Sequence, residues 1–243
     1  MLVDNKFIYI SLPRCASTSF MVSCIKSNIQ INYADKKLDD ALSFVDKNMM
    51  AEALAYQLQH PHESCSDLIN KFGREYDIIS VKRNRYERFI STWEHIIHEL
   101  KKRQEYTAAN ILKKFDENDL LIYSSNDMHP ENNINYVSDF LKNNNIKLSN
   151  NKNQVYLINM LCIQITPLYV LHNHNPNIIW FDFKKLNELE DWVSNKLKKP
   201  FKLKKLNSSK HIECNLKLTN NFIKKYNEIY DAYDFKKEIK TLL

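Results

Sequence analysis

An apolar run near the start of the chain leads into a turn rich in hydroxyl groups, a combination suited to binding phosphate. Residues 7–12 are typical of a buried strand, and after them come Pro13, Arg14, Cys15, Ala16, Ser17, Thr18 and Ser19. The first turn of a helix has backbone N–H groups without helical partners and carries the positive end of the helix dipole. A strand leading into such a turn presents these donors to an anion. The hydroxyl groups add donors and Arg14 adds a positive charge, so we predict an anion site here.

This turn differs from the loop by which nucleotide kinases and NTPases bind phosphate. That loop has the pattern GxxxxGK followed by Ser or Thr, whereas residues 11–19 contain no glycine. An ATPase is therefore not favoured. A strand, a turn and a helix that starts with hydroxyl residues is also typical of a capped helix without any ligand. The choice between these two interpretations depends on a second motif.

The second motif covers residues 77–93 and joins an apolar run to an amphipathic helix. The apolar run leads up to Arg83. Apolar residues then recur three and four positions apart on one helix face: Tyr86, Phe89, Ile90, Trp93, Ile96, Ile97 and Leu100. Arg83 would thus lie at the C-terminal end of a strand, where ligands collect in open α/β sheets. A guanidinium there, with the Ser91 hydroxyl from the helix, suits a second phosphate.

Together these two segments resemble the PAPS-dependent sulfotransferases, most closely the carbohydrate-type branch of that superfamily. Residues 81–93 match the family pattern V-x-R-D/N-P-x-x-R-x-x-S-x-Y/W except at the proline. The resemblance implies that residues 11–19 hold the 5′-phosphosulfate of PAPS (3′-phosphoadenosine 5′-phosphosulfate). It implies that Arg83 and Ser91 bind the 3′-phosphate. The implied reaction moves a sulfuryl group to an acceptor hydroxyl or amine and releases PAP (3′,5′-ADP), without a metal.

The resemblance also assigns the catalytic groups. Arg14, at a position where many members have lysine, would stabilise charge on the leaving 5′-phosphate. Residues 60–64 look like the family's H-x-S/T element, so His62 is the preferred general base and His60 the second choice. The acidic alternatives for this base are Glu63 and Glu94.

A late loop looks like the segment that closes over the cofactor in the same family. The residues of this loop that would contact the cofactor are Asn207, Ser208 and Lys210. The alternative is a solvated, lysine-rich loop, since charge runs are usually wet surface.

Besides Arg14, two positions depart from the family pattern. Arg85 stands where the second motif has proline, so the helix start loses a preset φ angle. Ala16 stands where the first turn often has glycine, and alanine suits that position only if its φ is negative.

The elements that must position these residues alternate between strands and helices. The patterns predict strands over 6–12, 77–83 and 178–182 and helices over 17–28, 38–58, 86–104, 184–197 and 218–240, with weaker helices between 107 and 163. This order indicates an α/β, three-layer P-loop-like fold with a central parallel sheet flanked by helices. At 243 residues the chain is expected to form one sulfotransferase-like domain, with a helical insert around 101–165.

Composition limits the choice of partners. A net charge of +6 suits a polyanionic cofactor as well as it suits nucleic acid. The alternatives to a sulfotransferase are therefore a P-loop-type nucleotide kinase and a basic nucleic-acid-binding protein, although nucleic acid is not the expected partner. The expected acceptor is a glycan or a small hydroxylated molecule. The five cysteines follow no metal-ligand spacing, and without a long apolar run we expect a soluble, cytoplasmic protein.

Overall fold

The computed structural model describes residues 1–12, 14–35, 63, 65–114, 130–165, 177–204, 219–224 and 226–228. The chain divides into two compact units. The first, here the sheet unit, comprises Met1–Asn84 and Leu168–Ser208, and the second, here the helical unit, comprises Arg85–Pro167 and Ser209–Leu243. The predicted helix over 38–58 lies outside the described residues. That the two units act as one domain stays a prediction.

The sheet unit contains a five-stranded sheet in the order β3-β1-β2-β4-β5. The strands are β1 (Leu2–Val3), β2 (Phe7–Ile10), β3 (Ile31–Asn32), β4 (Asp77–Lys82) and β5 (Ile178–Asp182). β2, β4 and β5 are parallel, whereas β1 is antiparallel to both of its neighbours. The predicted α/β class is confirmed. The predicted central parallel sheet is confirmed for β2, β4 and β5 only, because β1 makes the sheet mixed.

The antiparallel part of the sheet was missed because its strands are too short to show a pattern. β1 and β3 have 2 residues each, whereas a recognisable strand alternation needs about four or more. The turn between β1 and β2 places Asp4 and Asn5 at φ 49° and 52°, and the Lys6 N–H donates to the Val3 carbonyl at 2.9 Å. Asp and Asn tolerate positive φ better than most residues, which lets this tight turn form.

The described part of the sheet unit contains three helices, two of which contact β2 through aromatic rings. They are α1 (Ser17–Lys26), α2 (Cys65–Phe72) and α7 (Leu186–Leu197), with a 3₁₀ turn at Phe183–Lys185 before α7. All four residues of β2 are fully buried, as expected for a central strand. The Tyr9 ring stacks on Phe20 of α1 at 3.9 Å, and Phe7 meets Trp192 of α7 at 5.1 Å. These contacts hold α1 and α7 against β2.

The helical unit contains α3 (Arg85–Lys102), α4 (Tyr106–Lys114), α5 (Pro130–Asn143) and α6 (Asn151–Ile165), and residues 220–224 and 226–228 are helical as well. On the predicted apolar face of α3, the buried side chains are Phe89, Trp93, Ile96, Ile97 and Leu100. Phe89 meets Phe222 at 5.2 Å and Tyr226 at 5.7 Å between ring centroids. Among the described residues, no helix combines the length and apolar content that crossing a bilayer requires.

A buried carboxylate joins the turn between α3 and α4 to the start of α6. Glu105 accepts hydrogen bonds from the Ser149 N–H at 3.0 Å and the Asn153 amide at 2.6 Å, and the Ser149 hydroxyl donates to it as well. Burial raises the pKa of Glu105, but these donors outweigh burial and leave the pKa below its ordinary value. We interpret Glu105 as a structural acid of the helical unit.

Helix ends in this chain take positive φ without glycine. Asn28, Gln104, Asn145 and Lys198 follow α1, α3, α5 and α7 at φ between 50° and 63°. Gly73, the only glycine in the chain, follows α2 at φ 99°. A left-handed residue after a helix lets the final carbonyls find donors. At these helix ends, residues other than glycine therefore adopt the left-handed backbone conformation that glycine usually supplies.

Candidate active site

Three parallel strands of the sheet unit end at the same edge of the sheet. Ile10 is level with Ser80, and Lys82 is level with Asp182. The segments that follow these strand ends are the turn before α1, Arg83 with Asn84, and the 3₁₀ turn that begins at Phe183. We call these segments the carboxyl edge. Ligands in open α/β sheets bind outside the carboxyl ends of the strands, so this edge is the candidate site.

The turn before α1 presents the backbone of the helix start. The Cys15 N–H donates to the Leu12 carbonyl at 3.2 Å, and the first helical hydrogen bond runs from Phe20 N–H to the Ala16 carbonyl at 2.9 Å. The N–H groups of residues 17–19 therefore come before the first helical hydrogen bond. Thr18 and Ser19 are half-buried and Ser17 is buried. The predicted hydroxyl residues thus occupy the first turn of α1.

Two residues of this turn adopt left-handed backbone conformations. Arg14 has φ 61° and Ala16 has φ 63°, and Ala16 makes no side-chain cap on α1. We expected alanine to suit this position only with a negative φ, and the structure has the opposite sign. A Cβ in the left-handed region costs roughly 1–2 kcal/mol. The turn is therefore strained where the resembled family often has glycine.

Replacing Ala16 with glycine is expected to stabilise the protein. Glycine removes the Cβ clash but loses more conformational entropy on folding, so the net gain in unfolding free energy is about 0.5–1 kcal/mol. Thermal denaturation should show a melting temperature higher by roughly 1–4 °C.

The matched control places the same substitution inside a helix. Ala108→Gly, in α4, should lower the unfolding free energy by about 1 kcal/mol, because glycine is a poor helix former. Loss of stability in Ala16→Gly would contradict the strain that we infer from its φ angle.

The groups behind the turn are buried. Cys15 is fully buried, and its side chain belongs to the core of the sheet unit. Burial raises the pKa of Tyr9, and the nearby Cys15 and Cys24 thiols raise it further. Burial likewise raises the pKa of the Cys24 thiol. Tyr9 and Cys24 therefore stay neutral near pH 7, so neither of them repels a bound phosphate.

The Arg83 guanidinium lies against the turn before α1. Its Nη1 atom is 3.4 Å from the Arg14 carbonyl oxygen, which is a long hydrogen bond. Its Cζ atom is 4.5 Å from the centroid of the Phe183 ring. Arg14, Arg83 and Phe183 are all half-buried, so each keeps part of its surface in contact with solvent. The structure therefore brings the two predicted arginine positions together at the carboxyl edge.

Sequence reasoning missed Phe183 as a component of this site. The only signal was its place directly after Asp182, at the end of a predicted strand. Asp182 accepts a hydrogen bond from the Lys184 N–H at 2.8 Å and so caps the 3₁₀ turn. That cap orders the backbone on both sides of Phe183.

The other predicted site residues lie outside the described part of the sheet unit. Ser91 belongs to the helical unit and is buried on α3. The residues whose positions are not described are Pro13, His60, His62, Asn207, Ser208 and Lys210. Their roles stay predictions.

The two acidic alternatives for the base can be placed. The Glu63 Oε1 atom accepts a hydrogen bond from the Asp35 N–H at 2.9 Å. Its Oε2 atom is 3.5 Å from the amino group of Met1. These contacts engage the Glu63 carboxylate in holding the sheet unit together, which weakens it as a base. Glu94 lies half-buried on α3 in the helical unit. Across the described ranges, no three His, Cys, Asp or Glu side chains form a group that could hold a metal ion.

No protein-family model matches the chain, and no curated protein or solved structure matches it either.

Proposed function

We propose that this protein is a PAPS-dependent sulfotransferase with a three-layer P-loop-like fold, and that its acceptor is a hydroxyl or amine, most readily on a carbohydrate. The observation that carries the proposal is the contact between Arg83 and the turn before α1. That contact puts a guanidinium 3.4 Å from the backbone of the predicted anion-binding turn. PAP carries two phosphates on one ribose, and two adjacent anion-binding elements suit such a ligand.

The proposed reaction is an in-line transfer of the sulfuryl group from the 5′-phosphate oxygen to the acceptor. The acceptor oxygen or nitrogen attacks sulfur, the bond between sulfur and the 5′-phosphate oxygen breaks, and the acceptor proton passes to the base. Negative charge then develops on the leaving phosphate, as in phosphoryl transfer. Arg14 and the N–H groups at the start of α1 would stabilise that charge. His62 is the base of this scheme, with His60 as the second choice.

The nucleotide preference of the protein tests the proposal. We expect 3′,5′-ADP to raise the melting temperature more than 5′-AMP or ATP with Mg²⁺ at equal concentration. A ligand at about 100 times its Kd adds roughly 2.7 kcal/mol to the unfolding free energy. For a chain of this size that corresponds to a shift of about 5–10 °C.

The two alternatives make different predictions in the same assay. A nucleotide kinase would be stabilised most by ATP with Mg²⁺. A nucleic-acid-binding protein would bind DNA or RNA with strong salt dependence and would not distinguish 3′,5′-ADP from 5′-AMP. Either result would overturn the sulfotransferase proposal.

A further inference from the structure

The Arg83 guanidinium lies between two groups that follow the neighbouring strands. On one side is the ring of Phe183, after β5, and on the other is the carbonyl of Arg14, after β2. We propose that Phe183 is a positioning residue that sets selectivity for the 3′-phosphate by orienting Arg83. This inference rests on the proposed function, because it assigns the 3′-phosphate to Arg83.

The contact with the ring restricts how the guanidinium can turn. A guanidinium is planar and stacks on aromatic faces, and the 4.5 Å separation is within the usual cation–π range of about 6 Å. Arg83 is only half-buried, so loss of the ring would remove one of the contacts that limit its rotamers. Fixing one orientation before the ligand arrives reduces the entropy lost on binding. It also directs the planar fork, which binds phosphate through paired N–H groups.

The position of Phe183 follows from the strand register. β4 and β5 pair in parallel, with Lys82 level with Asp182. Arg83 directly follows Lys82 and Phe183 directly follows Asp182, so the register places these two residues side by side. The Asp182 cap then turns the chain into the 3₁₀ helix directly after the strand. Phe183 also packs partly against the core of the sheet unit, which limits its own motion. The Phe183 ring is therefore held in a fixed position against the Arg83 guanidinium.

The test measures the ratio of affinities for 3′,5′-ADP and 5′-AMP by calorimetry. Phe183→Leu removes the aromatic face and should lower this ratio about three- to tenfold. Phe183→Tyr keeps the face and should stay within about twofold of the wild type. Phe183→Met is the second variant, used if the leucine variant does not fold.

A matched control is available at the other end of β4. Phe72 is the last residue of α2, before β4 begins, and it is half-buried. The Nζ atom of Lys71 lies 5.3 Å from the centroid of the Phe72 ring. Phe72→Leu makes the same change beside a cation without touching the carboxyl edge. It should leave the affinity ratio unchanged, which separates positioning from a general loss of stability.

An NMR measurement on the ligand-free protein gives an independent readout. The ring of Phe183 should shift the side-chain proton signals of Arg83 upfield, with those signals assigned by their loss in Arg83→Lys. Phe183→Leu should remove the upfield shift. An unshifted Arg83 signal in the wild type would overturn the positioning role, whatever the protein binds.

The two proposals fail in different ways. If the wild type does not prefer 3′,5′-ADP, the sulfotransferase proposal falls and selectivity through Phe183 falls with it. If the wild type prefers 3′,5′-ADP and Arg83→Ala loses that preference while Phe183→Leu keeps it, only the positioning role is overturned.

Discussion

In the proposed sulfotransferase reaction, replacing Arg14 with alanine is expected to slow sulfuryl transfer from PAPS by about 10²- to 10³-fold, the loss typical of removing a group that stabilises developing charge. Arg14 is half-buried and belongs to the turn directly before α1, where the positive end of the helix dipole also acts. Charge on the 5′-phosphate grows as the bond to sulfur breaks, so the effect should fall on kcat more than on KM. Steady-state kinetics with a panel of glycan acceptors would measure it.

Two variants control for Arg14→Ala. Arg14→Lys keeps the positive charge and should recover much of the lost rate, since charge rather than a planar fork is what the leaving phosphate requires. Arg74→Ala removes an exposed arginine between α2 and β4, away from the carboxyl edge, and should leave kcat unchanged. Wild-type kcat in Arg14→Ala would remove Arg14 from the mechanism.

Replacing Arg83 with alanine is expected to abolish most of the preference for a 3′-phosphate. Hydrogen bonds to a charged group contribute about 1.5–3 kcal/mol, so affinity for 3′,5′-ADP should fall roughly 10- to 100-fold. Affinity for 5′-AMP should change much less, because 5′-AMP has no 3′-phosphate. Calorimetry with both nucleotides measures the two effects on the same protein.

Arg83 also contacts the backbone of the turn before α1, so its loss has a second possible consequence. If the 3.4 Å contact with the Arg14 carbonyl shapes that turn, 5′-AMP binding weakens as well. Arg83→Lys separates these effects because lysine keeps the charge and loses the planar fork. An unchanged ratio of affinities in Arg83→Ala would show that the 3′-phosphate is bound elsewhere.

Much of the sheet unit was predictable because its central strands are continuous apolar runs. The strand over 178–182 was predicted with the bounds that the structure has, and the strand over 77–83 extends one residue beyond β4. The apolar face of α3 was also predictable, because its spacing of three and four is a local property. β1 and β3 carry no such signal, and for that reason the mixed sheet was missed.

The candidate site was predictable only at the level of strand ends. Arg14 and Arg83 each follow an apolar run, so placing both at one edge needed only the rule for parallel strands. The contact of Arg83 with Phe183 depends on the register between β4 and β5, strands far apart in the chain. The positive φ of Ala16 is likewise a property of the folded turn, because alanine by itself favours negative φ.

The sequence by itself determined which segments form the central strands, where α1 begins, where α3 begins to within one residue and which side chains of α3 face its core. These features depend on apolar spacing between near neighbours. The tertiary structure decided the strand order, the antiparallel β1, the ring beneath Arg83 and the strain at Ala16. Each of these depends on hydrogen bonds and packing between segments that are distant in the chain, and no local pattern of residues records that pairing.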